Sequence, residues 1–263
     1  MLAFPNAKIN LGLRVLSRRA DGYHTIESCL FPIPWRDIIE IVEADSFSFK
    51  QSGLSIPGDS DSNLCVVAYK LLKDQYKLPP VNIHLHKVIP MGAGLGGGSS
   101  DGSFTLKLLN AIFDLKISSL GLQEYAAELG SDCPFFIDNT PALATGTGTF
   151  LAQADINLSG YYLAVIHPDI HVSTTEAYAG VIPNPNITPI SNVLASDMGL
   201  WSGNLINDFE QSVFKSHPQI AQTKDHLFRK GAIYAAMSGS GSAVFGLFTE
   251  EPSIEDAQVF MLR

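Results

Sequence analysis

Leu11, Leu13 and Val15 alternate with their neighbours, which predicts an early strand. Further strands are expected at 38–42 and 46–49. The period then changes. Leu64, Val67, Ala68, Leu71 and Leu72 recur at helical spacing, behind the capping candidates Asp59, Asp61 and Ser62, and Pro79-Pro80 ends the pattern. Val81, Ile83 and Leu85 alternate with Asn82, His84 and His86, as in a half-buried strand. Past a glycine-rich run, Phe104, Leu108, Ala111 and Ile112 share one helical face and Leu106, Leu109 and Phe113 fill another, which predicts a buried helix. Leu122, Tyr125, Ala126 and Leu129 mark the next helix, capped by Ser118 or Ser119 and closed by Gly130.

From about residue 155 the texture shifts. A strand is expected at 162–166, a loop rich in Pro, Asn and Ser at 182–196, and a helix at 208–229 interrupted near Pro218. Strands at 233–237 and 243–248 flank the turn SGSGS. The shift sets an expected domain boundary, 1–155 and 156–263, in an α+β chain.

Composition narrows the function classes. Of 263 residues, 46% are hydrophobic and only 16% charged, which excludes disorder. The net charge of −9 argues against a broad nucleic-acid face, which needs clustered Lys and Arg. Cys29, Cys65 and Cys133 form no CxxC pair, so neither a disulfide framework nor a zinc site is expected. No stretch approaches the ~18 apolar residues of a membrane span, and no apolar leader precedes Lys8. The expectation is a soluble cytoplasmic protein, monomeric or a weak homodimer, with no membrane or nucleic-acid partner.

The chemistry concentrates in PMGAGLGGGSSDG, 90–102. Five of the seven residues at 92–98 are glycine, and Ser99-Ser100 follow at a helix start. Backbone N–H groups there point outward, the helix N-terminus adds partial positive charge, and missing Cβ atoms let phosphate oxygens approach. A merely flexible turn is the plainer alternative. Gly92, Gly94 and Gly97 spell G-x-G-x-x-G, but Pro90-Met91 intervene after the strand. Asp114, near the expected distance for the acidic ribose ligand, follows a helix with no strand between. A Walker loop fails because Gly98 stands where Lys is required.

This run resembles the phosphate loop of the GHMP kinases, the superfamily of galactokinase, homoserine kinase and mevalonate kinase. AKINLGLRVLSRRADGYHTIES (7–28), ELGSDCPFFI (128–137) and MSGSGSAVFG (237–246) resemble segments of the same superfamily in the same order. The doubled glycines and SSD point within it to kinases of a cytidyl-diphosphate sugar alcohol in the non-mevalonate isoprenoid pathway. The resemblance implies a two-domain GHMP kinase fold, with a ribosomal protein S5-like N-terminal domain and a ferredoxin-like C-terminal domain. It also implies ATP with Mg²⁺ as cofactors and a small-molecule alcohol as acceptor.

Residue roles follow from it. Asp132, in GSDCPFF, is the expected catalytic base; from local sequence alone it reads equally as a cap for 133–137. Lys8, in AKIN, is the expected cation at the transferring phosphate, against the plain reading of a strand-edge lysine. Asn10 shares its strand face and is expected to bind substrate or Lys8. Tyr23 and His24 are expected to hold cytosine by stacking and hydrogen bonds, and Tyr178 to supply a second aromatic; a turn Tyr packed on the core and a surface His are the plain alternatives. Asn63 and Lys87 are expected at the adenine pocket, and Pro90, Met91, Gly92, Ala93, Gly94, Leu95, Gly96, Gly97, Gly98, Ser99 and Ser100 at the phosphates. Ser238 and Ser242 are placed to close the site. No acidic residue is assigned to the metal. Two departures stand out: Gly102 where the superfamily has alanine, and Thr149 in GTGTF where it has an acid. The rival readings are a kinase of mevalonate or homoserine, a non-catalytic nucleotide-binding regulator, and a dinucleotide-dependent oxidoreductase.

Overall fold

The computed structural model describes residues 1–185 and 187–263. They form two compact units, each assembled from several stretches. The first comprises 1–7, 35–91 and 96–140; the second comprises 8–34, 92–95 and 141–263.

The first unit is built on a four-stranded sheet in the order Leu2–Ala3, Ile38–Glu43, Val81–Lys87, Ser48–Gly53. The pairs are antiparallel except the last, which is parallel. Val81, Ile83 and Leu85 face inward from the alternating strand, as its pattern predicts, and share a core with Ile39 and Ile41. Helices Leu64–Tyr76, Gly97–Ile112 and Ser119–Leu129 close that core through Cys65, Tyr69, Leu72, Leu106, Leu109 and Leu122. Asn63 caps the first of these helices, accepting from the Cys65 N–H. Asp59 instead caps the 3₁₀ turn Ser60–Ser62 before it. Ser118 caps the third helix, and Gly130 ends it.

The long helix Gly97–Ile112 corrects the sequence expectation. Leu106, Leu108 and Leu109 are buried, but Ala111 is exposed and Phe104, Ile112 and Phe113 are only half covered. The rest of the buried face is small and polar: Gly97, Ser100, Asp101, Gly102, Ser103 and Thr105. Close approach is the reason. A Cβ on Gly102 would stand 3.0 Å from Leu64 Cβ and 3.3 Å from Leu129 Cδ1, so glycine lets the neighbouring helices close on the turn after the loop.

The second unit carries two sheets. One runs Asn6–Arg18, His24–Arg36, Ala142–Gly146, Phe150–Gln153. The other, wholly antiparallel, runs Tyr234–Met237, Val244–Phe248, Tyr162–Ile166, Gln258–Met261. Leu13 and Val15 of the first sheet share one core with Ala164 and Val244 of the second. Val213, Ile220 and Leu227 of helices Glu210–Ser216 and Pro218–Arg229 join the same core. The break near Pro218 falls where expected, with proline opening the second helix.

The strand His24–Arg36 was not legible in the sequence. Pro32 and Pro34 argue against a strand there. Strands Ala142–Gly146, Phe150–Gln153 and Gln258–Met261 and helix Thr174–Ala179 were also missed. The expected loop 182–196 contains helix Ile190–Leu194, and its Asn186 lies outside the described residues. All three cysteines are free and buried. Burial raises the Cys29 thiol to about 12 and the Cys133 thiol to about 11, so both stay protonated and unreactive at neutral pH.

Candidate active site

In the second unit the opening half of the glycine loop rests on a polar network. Lys8 is 3% exposed on its strand, and its N–H donates to Leu95 O at 2.9 Å. Its ammonium donates to Asn10 Oδ1 at 2.6 Å and to Gly94 O at 3.0 Å. Asn10 Nδ2 donates to Ser28 Oγ at 2.8 Å, and Ser28 Oγ donates to Gly12 O at 2.7 Å. The glycine turn at 238–242 joins from the second sheet. Ser238 Oγ donates to Gly94 O at 2.8 Å, and Ala243 N–H donates to Ala93 O at 3.1 Å. Gly94 has a φ of +77°, and a Cβ there would fall 1.9 Å from Ser238 O. Only glycine fits. The turn SGSGS is thus in direct contact with the loop. Asn207, which no sequence signal marked, holds that turn by donating to Met237 O at 2.8 Å and Gly239 O at 2.7 Å.

In the first unit the closing half of the loop becomes a helix start. Gly96 is the N-cap with a φ of +68°, and Ser100 N–H donates back to Gly96 O at 2.9 Å. The N–H groups of Gly97, Gly98 and Ser99 belong to the first turn, which has no intrahelical acceptors for them. The Ser100 hydroxyl is buried with no hydrogen-bond partner among the described residues. Pro90 and Met91 lead into the loop. Met91, Gly98, Asn63, Leu64 and Asp101 line a cavity of about 280 Å³. Asn63 Oδ1 is engaged in capping.

Lys87 does not line that cavity. Its side chain is fully buried, and its ammonium donates to Asp37 Oδ2 at 2.5 Å and Asp101 Oδ2 at 2.8 Å. It lies beneath Gly97, where a Cβ would stand 2.9 Å from Lys87 Nζ. Desolvation disfavours the ammonium, but the two carboxylates outweigh it and raise the lysine above its usual value. Burial lifts Asp101 to about 7, partly offset by Lys87. One ammonium cannot neutralise both acids, and Asp37 also accepts from Val88 N–H at 2.5 Å and Ile89 N–H at 2.8 Å. Asp101, whose Oδ1 has no partner among the described residues, takes the proton near neutrality.

Asp132 lies half-buried in the turn after helix Ser119–Leu129. It does not cap the helix Phe135–Asp138, whose N-cap is Pro134. The carbonyl of Cys133, beside it, accepts from Ser103 Oγ at 2.7 Å, which ties this turn to the helix carrying the loop.

The pyrimidine candidates gather in the second unit. Arg19 pairs with Asp21 at 2.9 Å, and Asp21 Oδ1 accepts from Tyr23 N–H at 3.1 Å, which shapes the turn and holds the Asp21 carboxyl below its usual range. Tyr23 presents its ring to solvent at 68% exposure. His24 stacks directly on Tyr178, with centroids 4.7 Å apart and planes at 19°, and Tyr178 meets Phe209 edge-on. His24 and Tyr178 are therefore brought together, and no base fits between them at that spacing. His171, which sequence reasoning missed, stands against Gly92, its Nδ1 3.3 Å from where a Cβ would lie. Among the described residues no group of three His, Cys, Asp or Glu could hold a metal ion, and no helix is long and apolar enough to cross a membrane.

The family models for the GHMP kinases N terminal domain and the GHMP kinases C terminal match residues 63–146 and 190–263. The 4-diphosphocytidyl-2-C-methyl-D-erythritol kinase of Cytophaga hutchinsonii is 54% identical, over 96% of this chain and 94% of its own length. That of Parabacteroides distasonis is 48% identical, over 99% and 96%. A crystal structure of 4-(cytidine 5'-diphospho)-2C-methyl-D-erythritol kinase superposes with a TM-score of 0.80 at 32% identity, covering 94% of this chain and 90% of that one. A mevalonate kinase structure reaches a TM-score of 0.72 at 15% identity, covering 99% and 98%, a likeness of fold alone. The chain belongs to the GHMP kinases, and within them to the 4-diphosphocytidyl-2-C-methyl-D-erythritol kinase family.

Proposed function

We propose that this protein transfers the γ-phosphoryl group of ATP to the 2-hydroxyl of 4-diphosphocytidyl-2-C-methyl-D-erythritol, in the non-mevalonate route to isoprenoid precursors. The observation that carries this reading is near-full-length identity of 48–54% to kinases of that name. The loop geometry supports it. Phosphoryl transfer asks the protein chiefly to position its reactants and stabilise charge. The first-turn N–H groups at 97–99 and the orphan Ser100 hydroxyl suit phosphate oxygens, and the cavity beside Asn63 and Met91 suits the adenine end.

The roles assigned to individual residues extend that proposal. Asp132 orients the acceptor hydroxyl and takes its proton. Lys8 offers the transferring group a buried, fixed positive charge. Tyr23 provides an open stacking face for cytosine, and His24 with Tyr178 forms the neighbouring aromatic pair. Mg²⁺ is expected on ATP oxygens and water, which suits this ion; when bound it neutralises phosphate charge. We further propose 1–155 and 156–263 as the functional modules, a cytoplasmic location, and a monomer or weak homodimer.

The test is ADP release with ATP and a panel of alcohols: 4-diphosphocytidyl-2-C-methyl-D-erythritol, mevalonate and homoserine. Turnover confined to the cytidyl substrate is expected, with CDP as a competitor. Turnover of mevalonate or homoserine instead, with no response to CDP, overturns the reading.

A further inference from the structure

We infer that Asp37, through Lys87 and Asp101, is a positioning residue that clamps both ends of the phosphate loop into one geometry. The entry to the loop is Val88-Ile89, and both N–H groups donate to Asp37 Oδ1. The exit is the helix Gly97–Ile112, where Asp101, just past the first turn, accepts from Lys87 through Oδ2. Lys87 bridges the two by also donating to Asp37 Oδ2. Ile89 and Asp101 lie far apart along the loop, yet three side chains, each at most 3% exposed, fasten them at one point. Gly97 rests on the bridge, since a Cβ there would press on Lys87 Nζ and Ile89 Cγ2, each at 2.9 Å.

A buried charge cluster is an expensive way to fill a core, because removing ions from water costs several kcal/mol each. Its return here is geometric. A glycine-rich loop loses much entropy when ordered. A loop pinned at both ends meets its ligand already shaped, so less of the binding free energy is lost to ordering. The cluster carries one carboxylate more than it has ammonium groups. Either acid can therefore be removed while Lys87 keeps a partner, and neither deletion strands a buried charge.

The bearing on ATP rests on the kinase reading; the clamp itself can be tested without ligand. Asp37→Ala cuts the entry and Asp101→Ala cuts the exit. Native-state hydrogen exchange on the ligand-free protein is expected to speed up at the far end in each case, by about 10-fold or more. For Asp37→Ala the amides to watch are 100–103; for Asp101→Ala they are Val88 and Ile89. Amides of Val81 to Leu85 should stay within about 2-fold. Asp101→Asn keeps an oxygen for Lys87 and should restore slow exchange at Val88 and Ile89. Far-end amides that do not respond, or loosening spread equally through the strand, overturn the clamp. If one alanine variant does not fold, the other tests the same coupling from its own end. With turnover established, both alanine variants should raise KM for ATP and leave KM for the cytidyl substrate unchanged. A protein without kinase activity loses only this arm.

Discussion

At the scale of the residue, the sharpest consequence concerns Asp101. Burial raises its carboxyl from 3.8 to about 7. The folded protein therefore binds a proton there that the unfolded chain has released between about pH 4 and pH 7, and stability falls as pH rises through that window. At about 1.36 kcal/mol per pKa unit, the effect is at most on the order of 4 kcal/mol by pH 8. Asp101→Asn removes the surplus acid. Melting curves should show the variant gaining on the parent as pH rises from 5 to 8; a gap that stays constant or narrows contradicts the assignment. Two other side chains carry expectations for activity. Asp132→Asn should lower kcat by about 10²–10⁴, the usual weight of general acid–base catalysis, in a protein that still melts normally. His24→Ala should raise KM for the cytidyl substrate several-fold and leave KM for ATP unaltered in steady-state assays. It also removes the ring on which Tyr178 stacks, so the reverse pattern would separate this pair from pyrimidine recognition.

At the scale of the element, glycine decides where backbones meet. Gly94 and Gly22 both have positive φ, +77° and +87°. Only Gly94 faces another backbone, with Ser238 O at 1.9 Å from where a Cβ would lie, whereas Gly22 has open space. Gly22→Ala should therefore cost about 1 kcal/mol, the conformational term alone. Gly94→Ala must also displace the 238–242 turn, and should cost more than about 2 kcal/mol in urea unfolding along with loss of turnover. Equal costs would mean that the contact yields easily. The same contrast explains what was legible in the sequence. Strand Val81–Lys87 and helix Leu64–Tyr76 were readable because burial on one face leaves a period in the residues. His24–Arg36 leaves none, having two prolines and a mixed burial pattern. The glycine loop and the helix start behind it were readable, but their support was not. Asp37, Asp101 and Asn207 act through partners distant in sequence, and nothing in a single acid before a strand announces a buried lysine fifty residues on. The ion pairs of Lys87 were hidden for the same reason: its position in an alternating strand gives its face, not its partner.

At the scale of the whole molecule, the charge of −9 poses a question for a protein whose proposed ligands are two anionic nucleotides. A basic surface is one way to gather phosphates, and binding by that route weakens steeply with salt. This chain offers another. The first-turn N–H groups at 97–99 are local and fixed, and such groups are little screened by mobile ions. Beyond a Debye length, about 10 Å at 0.1 M salt, the net field of the protein repels ATP rather than attracting it. Added salt should therefore weaken a long-range repulsion while leaving the short-range attraction almost intact. Raising KCl from about 50 to about 300 mM, with magnesium held constant, is expected to leave KM for ATP level or slightly lower. A rise of several-fold, as counterion release from a basic surface would give, contradicts a phosphate site built from backbone amides.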